Sequence, residues 1–349
     1  MHHDMALARL ASEWGIITNG KQILDNPRFK RDFAYAMDAQ PTLVTNPNAG
    51  IPSWLTQFVD PDVVRVLQTP NMGARILGEQ KKGSWTDQTA WFTMLENTGE
   101  VSSYGDYNAN GISDVNAQWE SRQSYLFQTH ITIGDLEVDR AGLARLNLVS
   151  EKNIAAAKTL DKFADYTYHF GVQGLANYGI LNDPSLPSAL TPTTKAASGS
   201  GTKWVYNGQV TAQAQEIYAD FQMLFTQLAS QTFGVIDENT SFVLVFPNSV
   251  AGALTAVNQY GITIRDYIKQ SFPNVEFIID PRYATTAGNV VQLWARQFDG
   301  NDTGYCAFNE KMRDHRFEYK TSNYLQKKTS GTWGAIIRYP LAVAQLIGV

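Results

Sequence analysis

The sequence predicts an α+β fold on three observations. Residues 139–184 carry apolar side chains at helical spacing over several times the length of an average helix. Residues 75–134 and 301–349 are rich in strand formers, and between 185 and 300 short helical and strand patterns alternate. In the long stretch Leu143, Leu146, Val149, Ala156, Leu160, Ala164 and Leu175 share one face, while Glu151, Lys152, Lys158, Asp161, Lys162 and Asp165 share the other. The stretch is either one helix or two, broken near 147–153 with Ser150 capping the second. Both versions leave a long spine. Gly171 and Gly174 loosen its last turns, and Gly179-Ile-Leu-Asn-Asp-Pro184 is expected to end it, because proline cannot continue a helix.

The remaining elements follow in order. Pro27, Pro41, Pro47, Pro52, Pro61 and Pro70 divide the N-terminal region, which reads as an extended arm with short helices at 5–15 and 61–67. Residues 85–95 are rich in Thr, Trp and Phe. Tyr125, Phe127, Thr129, Ile131 and Ile133 alternate with Leu126, Gln128, His130 and Thr132, so these two segments are expected to pair as a hairpin. The 96–121 loop between them is too long and polar for a compact interior and is expected to protrude. Residues 182–208 form a Pro/Gly/Ser/Thr connector. Beyond it come a helix from Ala214 to Leu228, a buried strand at 241–246, a turn of helix after Pro247, a helix at 263–272, and strands at 275–280 and 290–295. The tail returns to strands.

Composition narrows the function. The 349 residues are 44% hydrophobic with a net charge of -5, so the chain can fill a large core but is not built to wrap nucleic-acid phosphates. Cys306 is the single cysteine, which excludes an internal disulfide and suits a reducing cytosol. No secretory signal or membrane-spanning run is present. A phosphate-binding P-loop, a dinucleotide glycine fingerprint, a Gly-x-Ser-x-Gly elbow and a zincin helix are all absent. The scattered histidines, His130 and His169 among them, read as structural, as does Cys306. No catalytic residue and no cofactor are expected.

One motif has metal-ligand spacing. Asp106, Asn108, Asn110 and Asp114 occupy calcium-loop positions one, three, five and nine, with Gly111 at the turn. Position twelve is Ala117 instead of the bidentate Glu, so the alternative is an Asn/Asp/Gly-rich hairpin turn. Charge is also segregated. Between 83 and 137 there are eight acids against Arg122 alone, whereas Lys311, Arg313, Arg316, Lys320, Lys327 and Lys328 outnumber Asp314 and Glu318.

A proline-broken arm, an acidic protruding hairpin, a spine ending in Gly-Ile-Leu-Asn-Asp-Pro, an α/β insert and a strand return through Gly334-Ala-Ile-Ile-Arg-Tyr-Pro-Leu-Ala-Val-Ala344 form a distinctive series. In this order it resembles the major capsid proteins of tailed bacteriophages, the Hong Kong-type fold shared with encapsulins. The resemblance implies an N-terminal arm (1–74), an E-loop hairpin (75–134), a peripheral domain with the spine helix (135–184), an axial α/β domain (185–300) and C-terminal strands returning to the peripheral domain (301–349). It also implies self-assembly as pentamers and hexamers into an icosahedral shell around a double-stranded DNA genome. The expected location is the virion capsid, with assembly in the host bacterial cytoplasm. Portal, scaffolding and decoration proteins are the partners implied, with only weak non-specific contact to packaged DNA and none to membrane.

The candidate contacts between subunits are Trp85, Trp91 and Phe92 with the acids Glu96, Glu100, Asp106, Asp114 and Glu120, set against Lys311, Arg313, Arg316, Lys327 and Lys328 of a neighbour. No lysine lies between Gly83 and His130, so lysine-to-asparagine welding from the loop is not expected. The start at Met1 argues against removal of an N-terminal scaffolding segment. The alternatives are an encapsulin-type nanocompartment, against which the long arm weighs, and a soluble α/β hydrolase or sugar-binding protein.

Overall fold

A computed structural model of the chain describes residues 16–17, 67–108, 110–143, 146–197, 199, 201–258 and 260–349. Strand β1 (Ile16–Ile17) pairs antiparallel with β2 (Leu67–Gln68). The helices expected over 5–15 and 61–67 lie outside the described residues, apart from Leu67 itself. Helix α1 (Gly73–Leu77) and β3 (Glu79–Lys81) follow, then two 11-residue strands, β4 (Thr89–Gly99) and β5 (Ser113–Gln123), and next β6 (Tyr125–Gly134). Helices α2 (Asp135–Leu143) and α3 (Leu148–Phe170) come next. After a ribbon of β7 (Val205–Tyr206) and β8 (Gln209–Val210) the α/β segment contributes α4 (Ala214–Gln231), β9 (Phe242–Phe246), a 3-10 helix over Asn248–Thr255, α5 (Ile264–Ser271) and β10 (Val275–Ile279). It continues with β11 (Ala284–Thr285), β12 (Gly288–Ala295), β13 (Gln297–Phe298) and β14 (Asn301–Asp302). A long hairpin of β15 (Gly304–Tyr319) and β16 (Asn323–Ile337) precedes β17 (Val343–Ile347). These residues fall into two compact units. One holds β1, β2, Ile133–Glu151 and Thr321–Asn323, and the other holds the rest.

Two expectations are corrected. The segments around Trp85 and Tyr125 do not pair: β4 pairs with β5 over its whole length, from Thr89↔Gln123 to Gly99↔Ser113. Strand β6 instead lies beside β16 in a four-stranded sheet of order β3-β15-β16-β6. Half of the supposed loop is therefore strand. Its polar sequence concealed this because all of β5 up to Trp119 is exposed, so no buried face imposes an apolar alternation. The spine takes the two-helix form that the sequence left open, but, second, its last helix ends well before Pro184. Asn147, not Ser150, caps α3, its Oδ1 accepting the Ser150 N–H at 3.2 Å.

Helix α3 stops at Gly171, whose φ of 63° is the left-handed value and whose N–H bonds the Thr167 carbonyl at 2.7 Å. The chain then doubles back. Ile180 and Leu181 donate their N–H groups to the Tyr168 and His169 carbonyls at 2.8 and 3.0 Å, and Asn182 Nδ2 donates to the Phe170 carbonyl at 2.5 Å. The Gly-Ile-Leu-Asn-Asp segment is thus a plug for the carbonyls that a helix end leaves open.

The second unit's main core surrounds a sheet of order β10-β9-β12, with β11 and β17 both paired to β12. Phe242, Leu244 and Phe246 of β9 face a cluster with Phe221, Leu224 and Ile268, while Val243 and Val245 face a second cluster with Ile76, Tyr168, Ile180 and Trp294. Burial on both faces is why β9 reads as an unbroken apolar run. Two buried polar clusters fix the neighbouring segments. Asp220 of α4 accepts from Lys195 Nζ at 2.5 Å, Trp204 Nε1 at 2.7 Å and Thr193 Oγ1 at 2.9 Å, which pins the connector. His169 places Nε2 2.5 Å from Asp280 Oδ2 and Nδ1 2.7 Å from the Asp165 carbonyl. Of the two contacts of the buried ring, one is thus to a group far away in sequence and the other to a group one turn back along α3, which ties the helix end to the end of β10.

Candidate functional site

The described residues most in need of a partner are on the β4–β5 hairpin. Directly opposed residues in an antiparallel pair share a face. The register Trp91↔Ser121, Thr93↔Trp119, Leu95↔Ala117 and Asn97↔Val115 therefore gathers Trp91, Leu95, Val115, Ala117 and Trp119 on one side. Phe92↔Glu120, Glu96↔Asn116 and Thr98↔Asp114 place the acids on the other. The first face is open: Trp91, Leu95, Val115 and Trp119 are 67%, 68%, 51% and 59% exposed. At the tip, Val101, Tyr104, Tyr107 and Ile112 are exposed as well. A lone hairpin with no covered face is marginal in water, so its order comes from its root and from whatever it meets.

The root is a buried ion pair. Arg122 Nη2 lies 3.0 Å from Asp183 Oδ2 and 2.9 Å from Glu120 Oε1, and its guanidinium rests over the Tyr178 ring with the central carbon 4.7 Å from the centroid. Asp183 also accepts from the backbone and hydroxyl of Ser185 at 2.9 and 2.5 Å. Gln123 completes the joint: its N–H bonds the Ala176 carbonyl at 2.9 Å and its own carbonyl accepts Asn177 Nδ2 at 3.0 Å. The plug that ends α3 thus also carries the hairpin.

The other candidate residues are placed as follows. Trp85 is half-buried beneath Arg313, whose guanidinium lies 5.4 Å from the ring centroid, and Phe92 packs on the Tyr305–Trp333 cluster. Trp91 alone of the three aromatics is open. Lys311 pairs with Glu79, Arg313 with Glu310 at 3.7 Å, and Lys328 with Asp314 at 2.5 Å. That narrows the basic set to Arg316, Lys320 and Lys327, which have no ion-pair partner among the described residues. At the tip, Glu100 is exposed and its N–H bonds the Ile112 carbonyl at 2.9 Å. Asp106 Oδ1 accepts the Tyr104 hydroxyl at 2.6 Å, Ser102 Oγ donates to the Asn110 carbonyl at 2.6 Å, and Asn108 is exposed. Asp114 sits in β5 with Oδ1 on the Val115 N–H. Among the described residues no three His, Cys, Asp or Glu side chains converge as a metal site would require. Sequence reasoning missed Leu95, Val115 and Trp119; alternation within 113–119 becomes a signal only once the β4 register is known.

An extended two-strand arm, a spine helix, a two-faced α/β core and a long return hairpin make up the fold. The fold is shared with the capsid of Myoviridae phage XM1, at a TM-score of 0.68 and 14% identity over 86% of this chain and 99% of that one. The capsid of the empty GTA particle gives 0.56 and 9% over 88% and 100%, and Gordonia phage Cozz 0.54 and 10% over 89% and 98%. The chain belongs to the Pa193 gp26 major capsid protein family, whose model matches residues 42–348. It is a phage major capsid protein of an icosahedral shell, and the encapsulin and hydrolase alternatives are not favoured. No curated protein matches the sequence.

Proposed function

We propose that copies of this chain associate as hexamers and pentamers and close into the shell through the β4–β5 hairpin, laid across a neighbouring subunit with its Trp91/Trp119 face down. The observation that carries this reading is the open apolar face of a hairpin fixed only at its root. The acidic face, with Glu96 and Asp114, finds complementary charge in Arg316, Lys320 and Lys327 of another copy. Many such weak contacts repeated around a closed shell add up to avidity. The role is structural rather than catalytic. A net charge of -5 suits a wall that encloses DNA without gripping it. Assembly takes place in the host cytoplasm, with portal, scaffolding and decoration proteins as the further partners, and residues 185–300 cluster at the five-fold and six-fold axes.

Sedimentation and negative-stain microscopy test it, comparing the full chain with a variant lacking residues 96–121. Closed particles from the first and a folded, unassembled subunit from the second are expected. Normal particles from the deletion variant would remove the hairpin from the assembly mechanism.

A further inference from the structure

Helix α4 ends in a strained aromatic. Thr232 is its last capping residue, Phe233 follows at φ 51° and Gly234 at 80°, and the Gly234 N–H bonds the Ala229 carbonyl at 3.0 Å. This is a Schellman closure, in which the residue after the cap must be left-handed and glycine is the usual occupant. A bulky side chain there is a genuine outlier. Among the described residues no packing offsets the strain, because Phe233 is 93% exposed. Val235 and Leu341 are also exposed, at 60% and 53%. Gln231, two residues before Phe233, ties this end of α4 to the 340–343 turn: in the amide orientation that satisfies both its ends it donates to the carbonyls of Leu341 and Val343 at 3.1 and 3.3 Å.

We infer that Phe233, with Val235 and Leu341, is an anchor that inserts into a neighbouring copy of this chain, at a contact separate from the hairpin. Strain retained by an exposed aromatic is the mark of a group that works outside its own subunit, and buried aromatics are the side chains that carry interfaces. The occupant follows from charge and from context. Segments 229–235 and 340–345 hold no charged residue in a chain of net charge -5, so two copies can meet here without repulsion, whereas DNA finds no cation to hold. The inference rests on the shell reading, in which copies of the chain are each other's neighbours.

Phe233→Gly separates the two roles because it relieves the backbone while removing the ring. The isolated subunit is expected to melt at the same temperature or higher, while the concentration needed for particle assembly rises at least about tenfold, the usual cost of losing a modest hot spot. Phe233→Tyr should assemble like the wild type. Unchanged assembly by Phe233→Gly overturns the anchor and leaves the shell intact, and so does a lower subunit melting temperature, which would mean that the ring packs at home. Absence of particles from the wild type, even with its scaffolding protein supplied, would overturn the proposed assembly and the anchor with it.

Discussion

The two long hairpins of this chain are built from similar amounts of backbone and opposite kinds of support. In β15–β16 the proximal halves are buried, with Tyr305, Cys306, Ala307 and Trp333 in the core and only the distal end in water. In β4–β5 the support is confined to the root, through Phe92 on the Tyr305–Trp333 cluster and Arg122 on Asp183. A continuous hydrogen-bond ladder, as in β4–β5, does not by itself confer autonomy. The first hairpin is buried by folding within the described chain, and the second keeps one apolar face open.

Deleting residues 96–121 should abolish particles yet leave the melting temperature of the subunit nearly unchanged, the largest effect available. Trp333→Ala strikes the other hairpin where it is buried; a loss of ~3–5 kcal/mol is expected in denaturant unfolding. Arg122→Met leaves Asp183 as an uncompensated buried charge and should cost about 3 kcal/mol. Hydrogen exchange should then show the β4–β5 amides opening before those of β15–β16. Trp119→Ser changes only the open face, so subunit stability should hold within ~0.5 kcal/mol while assembly weakens. If stability falls instead, the face is covered within the chain. Last, burial pushes the Cys306 thiol well above its ordinary pKa, so at pH 8 it should resist alkylation until β15 is unfolded. Labelling of the native subunit would show that β15 opens locally.

Where a segment has one buried face, the sequence was readable. The alternation at Tyr125, Phe127, Thr129, Ile131 and Ile133 is the inward side of β6, and Phe242–Phe246 and Val275–Ile279 are strands where apolar runs predicted them. Thr263 caps α5 at the predicted start, its hydroxyl accepting the Asp266 N–H. Burial leaves a periodic record, and exposure leaves none. Strand β5 was invisible because Asp114, Asn116, Gln118 and Glu120 face water on one side and nothing within the described chain selects for the other. The end of α3 was misplaced for a different reason. Pro184 is a strong local signal, but the stop is set by Gly171 together with donors from residues 180–182, a tertiary arrangement that local punctuation does not encode. The contact residues were partly legible by type, in Trp91 and the acids. Their sorting into two faces required the register.

Gly179 gives the plug a further significance. A methyl group there would stand 2.2 Å from the His169 carbonyl carbon, with no room to yield because both sides are backbone. The segment that begins at this residue also holds Asp183, on which the hairpin is mounted. A single added carbon would act as a wedge under a lever: it would re-aim an arm of eleven-residue strands without touching it. The absence of a side chain at one interior position thereby sets the bearing of a hairpin face that the described chain leaves open.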